Sequence, residues 1–219
     1  MTAARNCVLT GALLALLAGC GNGSGDETDS GPLGALAGAV AQTVAARRAP
    51  ETPAAPPKSA QEAAAEALRV NPGPLIQVGF EQLGRTQVMA MTGQNGALRT
   101  YMTPAEEALI LRGGMLVGTR GLGHDLSVAE PRTEALIRAG GSGNGQRTMR
   151  YFSGDGLERP LQFDCSVGPG PTAGITIESC AGHGTSFQNN YLVQGGQIAV
   201  SRQWIGPNLG YVTIQTLRP

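Results

Sequence analysis

The 219 residues carry 16 lysines and arginines against 16 aspartates and glutamates, with 33 glycines and a single tryptophan. That balance removes any electrostatic reason to expect nucleic acid or an anionic membrane surface as partner. No apolar run reaches the ~20 residues that a bilayer core requires of a spanning helix.

The first element is the greasy run Val8 to Ala18, which follows Arg5. Its length corresponds to roughly 16 Å of helix, too short to span. A basic start, a short apolar middle and small residues at its end describe a secretory signal peptide. The run closes on Leu17-Ala18-Gly19-Cys20, which resembles the lipobox of bacterial lipoproteins. The expected outcome is removal of residues 1–19 and acylation of Cys20 with diacylglyceryl and palmitate-type chains. Each buried methylene contributes ~0.8 kcal/mol and a single chain holds only marginally, so several chains make a durable anchor. Gly21 stands where an aspartate would retain a lipoprotein at the inner membrane, which points to the outer membrane with the domain facing the periplasm.

Residues 20–58 read as a flexible tether. Five prolines lie from Pro32 to Pro57, among alanine and glycine, and all aromatic residues lie at or beyond Phe80. Within it Leu33 to Arg48 could form a weak, transient helix. Ser59-Ala60-Gln61-Glu62 is a capping box, and it predicts a short helix over residues 59–73 that stops before Asn71-Pro72-Gly73-Pro74.

From residue 74 to 219 the texture changes to short runs in which apolar and polar residues alternate. They are LIQVGFEQ, TQVMAMT, ALRTYM, LILRGGMLVGTR, RTMRYF, LQFDC, ITIES, SFQNNYLV, IAVSRQW and YVTIQTL. Turn chemistry bounds each of them: GQNG, RGG, SGDG, QGG and GPNLG. Period-two alternation at ~8–12-residue spacing predicts an all-β, mainly antiparallel domain, a barrel or sandwich of about ten strands. Two interruptions are expected: a single helical turn at Thr103-Pro104-Ala105-Glu106, and a short helix over Pro131 to Ala139 leading into a mobile GGSGNG loop.

Once Cys7 leaves with the signal and Cys20 is acylated, Cys165 and Cys180 remain. They sit in LQFDCSVG and GITIESC, two strand-like runs joined by GPGPTAG. A hairpin centred near Thr172 sets them nearly opposite, which suits a disulfide in an oxidising compartment. A loop of about 15 residues would contribute ~3 kcal/mol in the chain-entropy model. The rival, a metal site completed by His183, is a ligand short.

Little in the sequence points to catalysis. His124 stands beside Asp125 in RGLGHDLS, but no GxSxG elbow accompanies them. The acids Glu81, Asp125, Asp155, Glu158, Asp164 and Glu178 show no spacing that selects a glycosidase pair. The GxGxxA at Gly168 to Ala173 contains two prolines and opens no helix, so it is a hairpin loop rather than a nucleotide cradle. No metal or cofactor motif occurs. Two glycine-bearing stretches exceed what turns require, GTRGLGHDLS (118–127) and SRQWIGPNLGYVTIQTL (201–217). In one reading Trp204 plugs the barrel and arginines clothe the rim, with Arg202 stacked on Trp204 or paired with Asp125. In the other, Arg120, Arg202, Trp204 and Tyr211 form a surface that grips a sugar.

The lipobox, NPGPLIQVGFEQLG, RGLGHDL and SRQWIGPNLGYVTIQTLRP together resemble the YjbF/GfcB lipoproteins, linked to group 4 capsule and related exopolysaccharide export in Gram-negative bacteria. The similarity spans roughly Pro72 to the C-terminus. It implies a periplasmic β-barrel-like domain and an accessory, non-enzymatic role with polysaccharide or export proteins as partners. The matching positions are Arg120, Gly121, Gly123 and Asp125, with Arg202, Gln203, Trp204, Gly206, Pro207, Gly210 and Tyr211; the candidate binding residues are Arg120, Asp125, Arg202, Trp204 and Tyr211. A glycan-modifying hydrolase or esterase using Asp125 and His124, and an envelope scaffold without glycan contact, are the alternatives.

Overall fold

The computed structural model describes residues 58–152 and 157–219. The signal peptide, Cys20, the tether and the Leu33–Arg48 helix lie outside the described residues. Helix α1 (Ala60–Val70) starts where the capping box places it. Glu62 Oε2 accepts from the Ser59 amide at 2.8 Å, and Ser59 Oγ accepts from the Glu62 amide at 3.3 Å. At its other end the Arg218 guanidinium donates to the carbonyls of Leu68, Asn71 and Gly73. This ties the helix to the last strand.

The rest is one antiparallel meander. Its strands are β1 (Leu75–Phe80), β2 (Arg85–Asn95), β3 (Leu98–Met102), β4 (Ala108–Arg112), β5 (Met115–Arg120) and β6 (Leu126–Pro131). After helix α2 (Glu134–Arg138) come β7 (Gly143–Phe152), β8 (Glu158–Pro169), β9 (Ile175–Gly182), β10 (Thr185–Gln194), β11 (Gln197–Gly206) and β12 (Gly210–Arg218). Sequence neighbours pair throughout except at β5 and β6, and β1 pairs with β12 in the register Val78↔Ile214. The first and last strands therefore close the sheet into a barrel-like form, and its seam falls between β5 and β6.

The fold class matches the alternation in the sequence, with 12 strands where about ten were expected. Gly113-Gly114 splits LILRGGMLVGTR into β4 and β5, and LSVAEP, which begins inside GTRGLGHDLS, is β6. Pro131 ends that strand, so α2 is only five residues long. The expected GGSGNG loop instead opens β7, with Gly143↔Val167 and Gly145↔Cys165 in register. A Cβ on Gly145 would lie 2.8 Å from Thr133 Cγ2, so glycine is there for close packing rather than for mobility. Thr103 to Glu107 forms a reverse turn closed by Thr103 N–H donating to Glu107 O at 3.0 Å, not a helical turn.

The hairpin β8–β9 brings Cys165 directly opposite Cys180, and the two are disulfide-bonded. Its turn is fastened by Gly170 N–H to Ile175 O at 2.7 Å. The main core gathers Phe80, Met89, Tyr101, Leu109, Phe163, Trp204 and Val212. A second cluster, Met115, Ile137, Val167, Tyr191 and Ile198, lies under α2. Ile137 is fully buried, Arg112 Nε donates to Glu134 Oε2 at 2.8 Å, and Arg138 Nε donates to Gly196 O at 3.1 Å. Helix α2 thus plugs the end of the barrel that carries the β4–β5, β8–β9 and β10–β11 turns. The opposite end carries the β1–β2, β3–β4, β5–β6 and β11–β12 loops.

Candidate functional site

The sequence-selected residues divide into three environments. Arg120 and Asp125 stitch the seam. The Arg120 guanidinium donates to the carbonyls of Thr119, Leu126 and Ser127 at 2.5–3.4 Å. It thereby occupies acceptors that a β5–β6 ladder would otherwise use. Asp125 accepts from Thr119 Oγ1 at 2.8 Å and from the amides of Gly121 and Leu122 at 2.9 and 3.2 Å. Both its oxygens are engaged, and no hydrogen bond joins it to His124 among the described residues.

Trp204 lies in the core, 8% exposed, stacked on Phe187 with centroids 4.4 Å apart and edge-on to Phe163 at 5.9 Å. Its amide donates to Asn189 Oδ1 at 2.7 Å. Arg202 meets neither Trp204 nor Asp125. Its guanidinium carbon lies 3.5 Å from the centroid of the Tyr211 ring and it forms a two-pronged bond to Glu81 at 2.6 and 2.7 Å. The Glu81 hydrogen bond raises its already high pKa further. The Tyr211 hydroxyl accepts from the Gln188 amide at 3.1 Å. Arg120, Arg202, Trp204 and Tyr211 therefore form a seam, a half-exposed stack and a core residue rather than one surface.

His183 is a turn residue whose Nε2 accepts from the Gln162 amide at 3.1 Å. With both thiols in the disulfide, the rival metal site lacks its sulfur ligands.

Sequence reasoning missed two features. One is a sealed polar cluster inside the barrel. Arg147, 1% exposed, pairs with fully buried Glu178 at 2.7 Å. Asn189 Nδ2 donates to Glu178 at 2.8 Å, Tyr191 Oη at 3.1 Å, and Thr133 Oγ1 completes the shell. Burial alone would raise the Glu178 carboxyl, but the Arg147 charge and these donors outweigh it and hold it below the usual carboxylate range. Burial pushes the Tyr191 phenol well up, so it stays a neutral donor. In the sequence Arg147 reads as a strand polar residue and Glu178 as one of six acids with no selected partner, and nothing local announces that the two face each other.

The other is a cleft of about 470 Å³ at the loop end, where the two glycine-bearing stretches meet. His124 comes from the β5–β6 loop, Tyr151 and Phe152 from β7, and Pro207 and Asn208 from the β11–β12 turn. Its walls are braced. The Tyr151 hydroxyl donates to Ile205 O at 3.0 Å, and burial drives its pKa upward, keeping it protonated. Gly206 has φ 141°, and a Cβ there would lie 3.1 Å from the Tyr151 ring. The glycines noted in the sequence were the available signal for this cleft.

Comparison with known proteins agrees with this architecture. The family described as group 4 capsule polysaccharide lipoprotein gfcB, YjbF matches residues 38–217, starting well before Pro72. No curated protein matches the chain. The crystal structure of the hypothetical lipoprotein YmcC from Escherichia coli shares the fold, with a TM-score of 0.60 at 13% identity over 88% of this chain and 98% of that one.

Proposed function

The chain belongs to the YjbF family of group 4 capsule polysaccharide lipoproteins, and from that premise we propose a non-enzymatic accessory of capsule or exopolysaccharide assembly and export. It is anchored through Cys20 in the outer membrane of a Gram-negative cell, with its β-domain in the periplasm binding glycan or a secretion partner. The observation that carries the non-catalytic reading is the fate of Asp125. A carboxylate that orients His124 must offer it an oxygen, and the oxygens of Asp125 accept instead from Thr119, Gly121 and Leu122, with no hydrogen bond to His124 among the described residues. Glu178 is likewise enclosed, and Glu81 is paired with Arg202.

The anchor supports the same reading. A tether of some 38 residues, flexible as its composition predicts, would have an r.m.s. reach of ~35 Å at ~5–6 Å × √n, which would let a binding domain search near the membrane without release.

The test has two parts. Deleting the gene should deplete polysaccharide at the cell surface, and the wild-type gene should restore it while Cys20→Ser restores little. Purified protein incubated with the host polysaccharide should leave its chain length and acyl content unchanged. Depolymerisation or deacylation would replace the accessory reading with an enzymatic one.

A further inference from the structure

We propose that the cleft at the loop end is a carbohydrate-binding site for a short oligosaccharide segment, with Phe152 as its stacking ring and His124 and Asn208 as its hydrogen-bonding groups. The proposal rests on the glycan arm of the accessory reading and gives it a place.

The chemistry of the lining argues for sugar. Phe152 is 60% exposed, whereas Phe163, Phe187 and Trp204 are all buried. An uncovered ring beside a cleft suits the C–H face of a pyranose. His124 and Asn208 are exposed and make no hydrogen bond to another described residue. An imidazole and an amide each donate and accept, as sugar hydroxyls do. The volume, about 470 Å³, falls within the ~300–1,000 Å³ of small-ligand pockets.

The walls do not have to be built on binding. Tyr151 is bonded to the Ile205 carbonyl, Gly206 packs on its ring, and Asp125 fixes the loop that carries His124. Such preorganisation lowers the entropic cost of holding a ligand. An extended peptide, by contrast, would seek an open sheet edge. At the seam beside the cleft, Arg120 already takes the Leu126 and Ser127 carbonyls that such a strand would use.

The experiment is saturation-transfer NMR on the full-length protein in detergent. The probes are size-fractionated oligosaccharides from the producing cell's own surface polysaccharide, with maltohexaose as control. Wild type should transfer saturation to ring protons of the former. Phe152→Ala should weaken binding about five- to tenfold and Asn208→Ala by a few fold, both with unchanged melting because both residues are exposed. Phe152→Trp should restore binding. Equal binding by wild type, Phe152→Ala and Asn208→Ala would overturn the assignment by placing the sugar elsewhere. No sugar binding by a wild-type protein that still restores surface polysaccharide would overturn it too, and would leave the accessory role standing with a protein partner. Failure of the accessory reading itself has its own signature, normal surface polysaccharide in the deletion strain.

Discussion

The two ends of the barrel treat polar side chains in opposite ways. Under α2, Arg147, Asn189, Tyr191 and Thr133 all donate to the Glu178 carboxylate, and only Arg147 Nε lacks a partner among the described residues of the cluster, which is closed to solvent. At the loop end, Arg120 and Asp125 are used to set the backbone, while His124 and Asn208 face a cleft. Buried polar groups are costly unless satisfied, and these are turned on one another and away from solvent, so the plugged end presents no polar group to a ligand. The loop end keeps its capacity because its structural work is done by Asp125, Arg120 and Tyr151. Stability and binding are therefore separable by mutation.

The sharpest test of the plugged end is Glu178→Ala. It leaves Arg147 charged, buried and without its carboxylate, which costs about 3–5 kcal/mol. For a domain of this size that is a fall in melting temperature of about 10 °C or more. Sugar binding below the transition should persist, and its loss in a still-folded variant would collapse the distinction between the ends. Glu178→Gln isolates the protonic part. Because the folded carboxyl titrates below its ordinary value of 4.5, its stabilisation is complete above that pH and is lost as pH falls through the lower folded value. Wild type should lose melting temperature over that window more steeply than the variant.

The disulfide ranks next. Replacing Cys165 and Cys180 together by alanine should cost about 3 kcal/mol for a 15-residue loop. Calorimetry with and without reductant checks this, since wild type in reductant should approach the double variant. This link is legible in the amino-acid sequence, because eliminating two cysteines leaves one pair and the GPGPTAG turn sets their register. The strands are legible for a related reason, as alternation is local. What escapes is either interrupted or non-local. Strand β6 is hidden because it begins inside GTRGLGHDLS, and Gly145 looks like a loop residue because the Thr133 methyl that excludes a side chain comes from a separate segment. The Arg147–Glu178 pair joins β7 to β9, and no spacing rule connects them. The loop-end cleft is half legible, through glycines whose purpose appears only when Tyr151 is seen against Gly206.

At the loop end, Asp125→Ala should cost about 1–3 kcal/mol by stranding its donors, less than Glu178→Ala. Its larger effect should be on ligand affinity, since the loop that carries His124 loses its fastening. Hydrogen exchange at Gly121 and Leu122 is the direct readout, and faster exchange at those amides is expected. Unchanged exchange would mean that Asp125 does not brace the cleft.

Arg202→Ala should have the smallest effect, and it bears on the other sugar-gripping surface suggested by the sequence. Its side chain and that of Glu81 are 36% and 41% exposed, and pairs so solvated contribute about 0–1 kcal/mol. Stacking on Tyr211 adds about 0.5–1 kcal/mol at such a site. Melting should therefore fall by a few degrees at most, and surface polysaccharide should be restored as by wild type. If Arg202→Ala instead abolished sugar binding without altering the melt, the working surface would be the Arg202–Tyr211 stack and not the cleft. The contrast between the ends would then describe stability alone. If both Arg202→Ala and Phe152→Ala weakened binding, their product in the double variant would decide the matter: additive losses place one glycan along both, and non-additive losses place the two residues in one contact.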